Sequence, residues 1–304
     1  MLTTKPIVFG ASGFIGKHFL NEVTFEHCIP VTRTEKNDNR WVKADLLNPT
    51  SLQSVLKKSN TVINLAYSQE LSDEENICMA NNLVDACRLF NISKLVHCST
   101  AVVVGNQPVR IVNEVTQCLP ETPYEKTKYA IENIFLRAAN SNLNVSILRP
   151  TGVIGNQGKN IKKMLSEICY DLPAINFIRS SIYGSRPLNL VPIKDVVRAL
   201  LHLTKWEVSS GIYICSADDD PDNRYDHVET IMRSLLSKRM LKTLKLPSIF
   251  LDTILRIKRS GSGRYRNRHY SSEKLFKTGF QRSVSIASAV KDFVLSELIN
   301  DKQL

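Results

Sequence analysis

No two cysteines of this sequence form a CxxC pair, and no apolar run approaches the ~18–20 residues needed to cross a bilayer. The seven cysteines are odd in number and scattered through apolar runs and helical patterns. Such a set reads as small buried hydrophobes in a reducing compartment, rather than as disulfides or a zinc site. The six histidines lack metal-ligand spacing, so no metal is expected. The N-terminus lacks the long apolar core and small-residue cleavage site of a signal peptide, and a cytoplasmic protein is expected. No internal repeat is visible. With 43% hydrophobic and 23% charged residues, the composition excludes collagen-like, low-complexity and disordered chains.

The charge is unevenly placed. Residues 238–282 hold 13 Lys or Arg against two acids, which equals the net +11 of the whole chain. The segment combines an apolar helix candidate at 246–259 with a loop rich in Ser, Gly and Arg. A solvated face near an anionic small-molecule site accounts for it. A contact with an anionic membrane surface is a second reading. No nucleic-acid motif accompanies the charge, so nucleic acid is not expected as a partner.

Short apolar runs at 6–9, 28–32, 61–66, 94–99 and 144–148 alternate with helical patterns at 14–23, 51–58, 72–90 and 124–139. Near-continuous apolar strands separated by helices predict an α/β fold, a doubly wound parallel sheet covered on both faces. The second half is less regular, with helical patterns at 160–170, 194–204 and 227–237 around a short strand at 211–215. The expected division is a Rossmann-like nucleotide-binding domain over 1–155, with 187–215 returning to it. A smaller C-terminal substrate-binding lobe then comprises 156–186 and 216–304.

Directly after the first strand comes Gly10-Ala11-Ser12-Gly13-Phe14-Ile15-Gly16. Glycines at this spacing allow a tight turn and let backbone N–H groups approach a pyrophosphate at the helix N-terminus. The second strand ends Val31-Thr32-Arg33-Thr34, without the acid that would hold a ribose 2′-hydroxyl. Arg33 can pair with a 2′-phosphate instead, which favours NADP over NAD. Tyr124 and Lys128 stand four apart on a predicted helix and share a face. An ammonium near a phenol lowers its pKa, which suits proton exchange with a carbonyl or alcohol near neutral pH.

These pieces, with Asp45-Leu46, Asn64-Leu65-Ala66, HCSTAVVVG (97–105), YEKTK (124–128) and LRPTGVIG (148–155), occur in an order that resembles the extended short-chain dehydrogenase/reductases of the NAD-dependent epimerase/dehydratase family. The resemblance implies that Thr100 holds the substrate oxygen, Tyr124 is the acid/base, and Lys128 orients the nicotinamide ribose and tunes the tyrosine. It implies cofactor contacts from Gly10, Ser12, Gly13, Phe14, Ile15 and Gly16. Asp45 and Leu46 flank the adenine, Leu65 and Ala66 the pyrophosphate, and Pro150 the nicotinamide. Arg186 lies where relatives hold a phosphate-contacting arginine. A homodimer through the helices at 72–90 and 124–139 is expected by the same analogy.

Three departures narrow the reading. Ala101 and Val102 stand where the family's dehydratases carry an Asp-Glu pair, so water elimination lacks its carboxylates. Val104 and Gly152 replace the Tyr and Asn usual in 4-epimerases. The expectation is therefore an NAD(P)-dependent oxidoreductase or epimerase of a nucleotide-activated sugar. Two alternatives stand beside it: an NADPH-dependent reductase of a hydrophobic alcohol or ketone, and a dinucleotide-binding regulator without catalysis.

Overall fold

The computed structural model describes residues 5–239 and 267–301. Seven strands, β1 (Ile7–Phe9), β2 (Ile29–Thr32), β3 (Val42–Lys43), β4 (Thr61–Asn64), β5 (Lys94–Cys98), β7 (Asn144–Pro150) and β10 (Gly211–Cys215), form one sheet. Their order is β10-β7-β5-β4-β1-β2-β3, and every pairing is parallel. This is the doubly wound α/β arrangement read from the sequence. Chain direction across the sheet reverses between β1 and β4, so the loops leaving their carboxyl ends diverge and open a crevice. Short pairs lie outside the sheet, β6 (Ile111–Val112) with β11 (His269–Tyr270) and β8 (Gly152–Ile154) with β9 (Leu190–Pro192).

Both faces of the sheet are covered, which is why its strands are apolar along their whole length. On one face, α2 (Pro49–Leu56), α3 (Asp73–Leu89) and α4 (Pro123–Ala138) pack through Leu52, Leu83, Ile131 and Phe135. On the other, α1 (Phe14–Val23) and α7 (Ile193–Leu203) bring Phe19, Val196 and Leu200. A third cluster builds the lobe from α5 (Lys162–Tyr170), α8 (Tyr225–Leu235) and the long helix Ile286–Asp301, around Leu165, Met232 and Phe293. Leu275 and Phe280 fall inside the 216–304 span expected in the lobe, yet they pack in the sheet-side cluster. The predicted apolar helix at 246–259 lies outside the described residues.

Local chemistry fixes the helix starts. Ser72 with Glu75 and Thr122 with Glu125 form capping boxes at α3 and α4, and Pro123 occupies the first turn of α4. Three described helices escape the periodicity reading: α6 (Pro173–Tyr183), Glu273–Lys277 and Ile286–Asp301. Four cysteines are buried as expected, Cys28, Cys87, Cys98 and Cys215, but Cys78 lies off the buried face of α3 and is exposed.

Two cations are enclosed in the sheet. Lys94 opens β5, and its Nζ donates to Asn144 Oδ1 and the Val208 carbonyl, both at 2.8 Å. Burial pushes its ammonium down to about 8. Arg149 on β7 pairs with Glu132 on α4 through Nε and Nη2, the shortest contact being 2.6 Å. Their side chains are 2% and 0% exposed. A buried pair is costly to desolvate, and removing one partner strands a charge. Glu132→Ala is therefore expected to destabilise the protein by about 3–5 kcal/mol, read from denaturant unfolding. A loss below about 1 kcal/mol would mean that water reaches the guanidinium.

Candidate active site

The turn between β1 and α1 separates two cavities. The smaller, about 250 Å3, lies over β1, β2 and β4 and is lined by Gly10, Ser12, Gly13, Arg33, Leu46, Leu65 and Ala66. The larger, about 830 Å3, is lined by Phe14, Ile15, Thr100, Tyr124, Pro150 and Arg186, among others.

The turn's three glycines have different reasons. Gly10 has φ +74°, and a Cβ there would meet Ala66 N and Leu65 C at 2.7 Å. Gly16 lines neither cavity; a Cβ would stand 2.4 Å from the Gly10 carbonyl, so this glycine lets α1 sit against the strand. Gly13 has ordinary extended backbone and only one protein neighbour, the Gly10 carbonyl at 3.3 Å. What its bare Cα faces is the smaller cavity. Gly13 is also the N-cap of α1, and no side chain caps that helix. Uncapped N–H groups beside a cavity favour an anion. The Ser99 hydroxyl lines the larger cavity and is buried with no hydrogen-bond partner. Uncapped helix, glycine wall and orphaned hydroxyl together fit a dinucleotide that runs past the turn.

Asp45 is placed differently from its neighbour Leu46. It lines neither cavity. Its Oδ1 instead accepts from Leu47 N at 3.0 Å, and its carbonyl accepts from Asn48 N at 2.9 Å. That is a local turn made by a short acid, with Leu46 the residue turned to the cavity.

On α4, Tyr124, Lys128 and Glu132 fall on one face, each four residues from the next. Tyr124 reaches the larger cavity at 37% exposure, whereas Lys128 is buried. Thr100 caps the 3-10 turn Ala101–Val104 and accepts from Val102 N at 3.4 Å. It also shares a hydrogen bond with the Tyr124 hydroxyl, which acts to lower that phenol's pKa. Burial outweighs this, with Cys98 and Tyr67 adding in the same direction, and Tyr124 is pushed up to about 12.

The expected lowering by Lys128 is not what the geometry produces. Lys128 Nζ donates to the Cys98 carbonyl at 3.0 Å and lies 5.2 Å above the ring of Tyr67. Burial moves this ammonium's own pKa down. A four-residue spacing places two side chains on one face but does not make their ends meet, and here Lys128 turns into the sheet.

Tyr67 is a site residue that the sequence reading passed over. Its ring meets Tyr124 edge-on at 5.3 Å, and it lines the smaller cavity while Tyr124 lines the larger. Burial raises its pKa, with Asp73 adding to the effect. Arg268 is another. It is buried in the wall of the larger cavity and donates to the Gly105 and Gln107 carbonyls at 2.6 and 2.5 Å. Tyr183 and Tyr225 stack at 5.0 Å in the same wall, and Arg186 lies over Tyr183. The larger cavity thus carries Lys159, Arg186 and Arg268, and no Asp or Glu among the described residues.

Known proteins resemble this chain in part or throughout. It is 27% identical over 175 residues to a GDP-6-deoxy-D-talose 4-dehydrogenase of Aggregatibacter actinomycetemcomitans, covering 54% of this chain and 58% of that protein. It is 32% identical over 178 residues to a decarboxylating sterol-4-alpha-carboxylate 3-dehydrogenase of Schizosaccharomyces pombe, covering 51% and 52%. The matches thus span little more than half the length of these relatives. The crystal structure of dTDP-glucose 4,6-dehydratase from Bacillus anthracis, in complex with NAD, superposes with a TM-score of 0.71 over 99% of this chain and 98% of that one. At 17% identity, that likeness is one of fold. The family model for the NAD dependent epimerase/dehydratase family matches residues 7–215, well over half of the sequence and all of the seven-stranded sheet, and the chain belongs to that family.

Proposed function

We propose that this protein is an NAD(P)-dependent oxidoreductase or epimerase of a nucleotide-activated sugar, with NADP the preferred dinucleotide. The observation that carries the reading is the charge of the larger cavity, where Lys159, Arg186 and Arg268 face no lining carboxylate. A diphosphate is matched by such cations, and arginine binds it with directional charge-assisted hydrogen bonds. The Tyr183–Tyr225 stack offers a flat apolar surface for a base or sugar ring. The similarity to the talose dehydrogenase supports a sugar-nucleotide substrate.

A nicotinamide dinucleotide bound past the glycine turn supplies or accepts the hydride. Tyr124 moves the proton: its hydroxyl gives it to a carbonyl oxygen in reduction, and its phenolate takes it from an alcohol in oxidation. Thr100 hydrogen-bonds the same oxygen. Lys128, anchored on Cys98, holds the base of the Tyr124 helix turn and sets the ring of Tyr67. With Ala101 and Val102 after Thr100, no carboxylate stands ready to eliminate water. The sterol dehydrogenase of fission yeast favours a second reading, a neutral hydrophobic alcohol or ketone. Such a substrate would make no use of the positive charge in the wall of the larger cavity.

Mass spectrometry of the dinucleotide released on denaturation separates the cycles. Retained NAD or NADH assigns an epimerase, whereas an empty site that binds NADPH more tightly than NADH assigns a reductase. Arg33→Ala is expected to weaken NADPH roughly 10- to 100-fold and leave NADH unchanged, measured by fluorescence titration. Equal affinities in the unaltered protein would remove the NADP preference. With UDP- and GDP-sugars as substrates, Tyr124→Phe should lower kcat by about 10²–10⁴ while dinucleotide affinity is retained. The reducing reaction needs the protonated phenol, and a pKa of about 12 keeps it protonated. Its rate should therefore show no alkaline fall below about pH 10, and the oxidising rate should climb over the same range. A plateau of oxidation near neutral pH would contradict this.

A further inference from the structure

Helix α6 is built inside out. Its buried residues are Asn176, Ser180 and Ser181. Leu172, just before it, and Ile175 and Ile178 are 67%, 46% and 56% exposed, and Tyr170 at the end of α5 is 79% exposed. The three-residue spacing of 172, 175 and 178 puts these side chains on one face. A surface helix of a globular protein ordinarily does the reverse, turning its apolar stripe to the core.

The inward side is held by polar contacts. Ser180 Oγ donates to Glu229 Oε1 at 2.6 Å, and Arg233 pairs with Glu229 at 2.8 Å. Arg179 engages Asp171 at 2.5 Å and Glu167 at 3.4 Å. These polar contacts and the Tyr183–Tyr225 stack hold the helix, while Leu172, Ile175 and Ile178 stay exposed. A contiguous exposed apolar patch of this kind marks an interaction site.

The edge of the patch is cationic. Lys238 Nζ donates to the Cys169 carbonyl at 3.4 Å, so the chain leaving α8 passes beside Tyr170. Arg239 follows it and is exposed. Glu167 and Asp171, the acids nearest in sequence to Tyr170 and Leu172, are already engaged by Arg179. Apolar side chains bordered by cations are the combination that seats a protein at an anionic headgroup layer. No helix among the described residues is long and apolar enough to cross a membrane, so the contact is peripheral.

We propose that Tyr170, Leu172, Ile175 and Ile178 dock this protein on an anionic lipid bilayer. The inference goes beyond the catalytic reading and does not depend on it. It has a structural corollary: α6 ends at Tyr183, which lines the larger cavity, so docking fixes that cavity's orientation to the bilayer.

The test is co-sedimentation of the full chain with vesicles of phosphatidylcholine and phosphatidylglycerol, against vesicles of phosphatidylcholine alone. Binding to the anionic vesicles is expected at low salt, and weaker binding at high salt. The triple variant Leu172→Ser, Ile175→Ser, Ile178→Ser should lose about tenfold or more in partitioning with an unchanged thermal melt. Lys238→Glu with Arg239→Glu should weaken binding several-fold at low salt only, as about one Debye length of screening dictates. The proposal is overturned if the unaltered protein stays in the supernatant with anionic vesicles, or if the folded triple variant binds as well as it does. It is equally overturned if scattering shows a dimer that this variant turns into a monomer, since the face then belongs to a second copy.

Discussion

The buried pair between Arg149 and Glu132 is the contact on which the geometry of the site rests. Tyr124, Lys128 and Glu132 lie along one face of α4, and Pro150 follows Arg149 on β7. Tyr124 and the strand end beside it are thus referenced to each other through one bidentate contact. Apolar side chains would fill the same space at lower desolvation cost, but they tolerate sliding and rotation of the helix. A carboxylate against a guanidinium fork has one arrangement, and it sets the axial position of α4 two turns below Tyr124. The capping box at Thr122 and Glu125 then fixes where the helix begins.

Seated on that frame, the two cavities flank the glycine turn, and neither has an acid in its described wall. The glycine turn presents uncapped N–H groups and bare Cα surface on one side, and Phe14 and Ile15 on the other. The larger cavity then meets Thr100 and Tyr124 with three cations and no acid in its described wall. Burial of the tyrosine keeps it protonated, and the nearby ammonium is spent on a backbone carbonyl instead.

The sheet was legible because its physics is local. Strands buried on both faces are apolar throughout, and a glycine turn leaves a spacing that few other structures require. Most helices fell within two residues of their expected ends because a buried face repeats at helical spacing, and among the described helices only α3 and α4 add capping boxes. The failures have physical causes. Helix α6 hid because its apolar face points outward over a polar inner side, so its pattern does not signal burial. Tyr67 and Arg268 are separated from Tyr124 and Gly105 by 57 and 163 residues, and only the folded chain brings them together. The aim of Lys128 depends on which acceptor lies nearest, which spacing along a helix cannot report.

Arg268 has a consequence for how such a protein can change over evolutionary time. It comes from the C-terminal third of the chain, yet it donates to the loop that follows Thr100, and the adjoining β11 pairs with β6 in that same region. Leu275 and Phe280 extend the return into the core behind the sheet. The C-terminal part of the chain is therefore not a cassette. Recombination that exchanged it whole for a relative's would remove the guanidinium that braces the Thr100 loop. New specificity in this lineage is more readily reached by point substitutions in the cavity wall than by swapping halves.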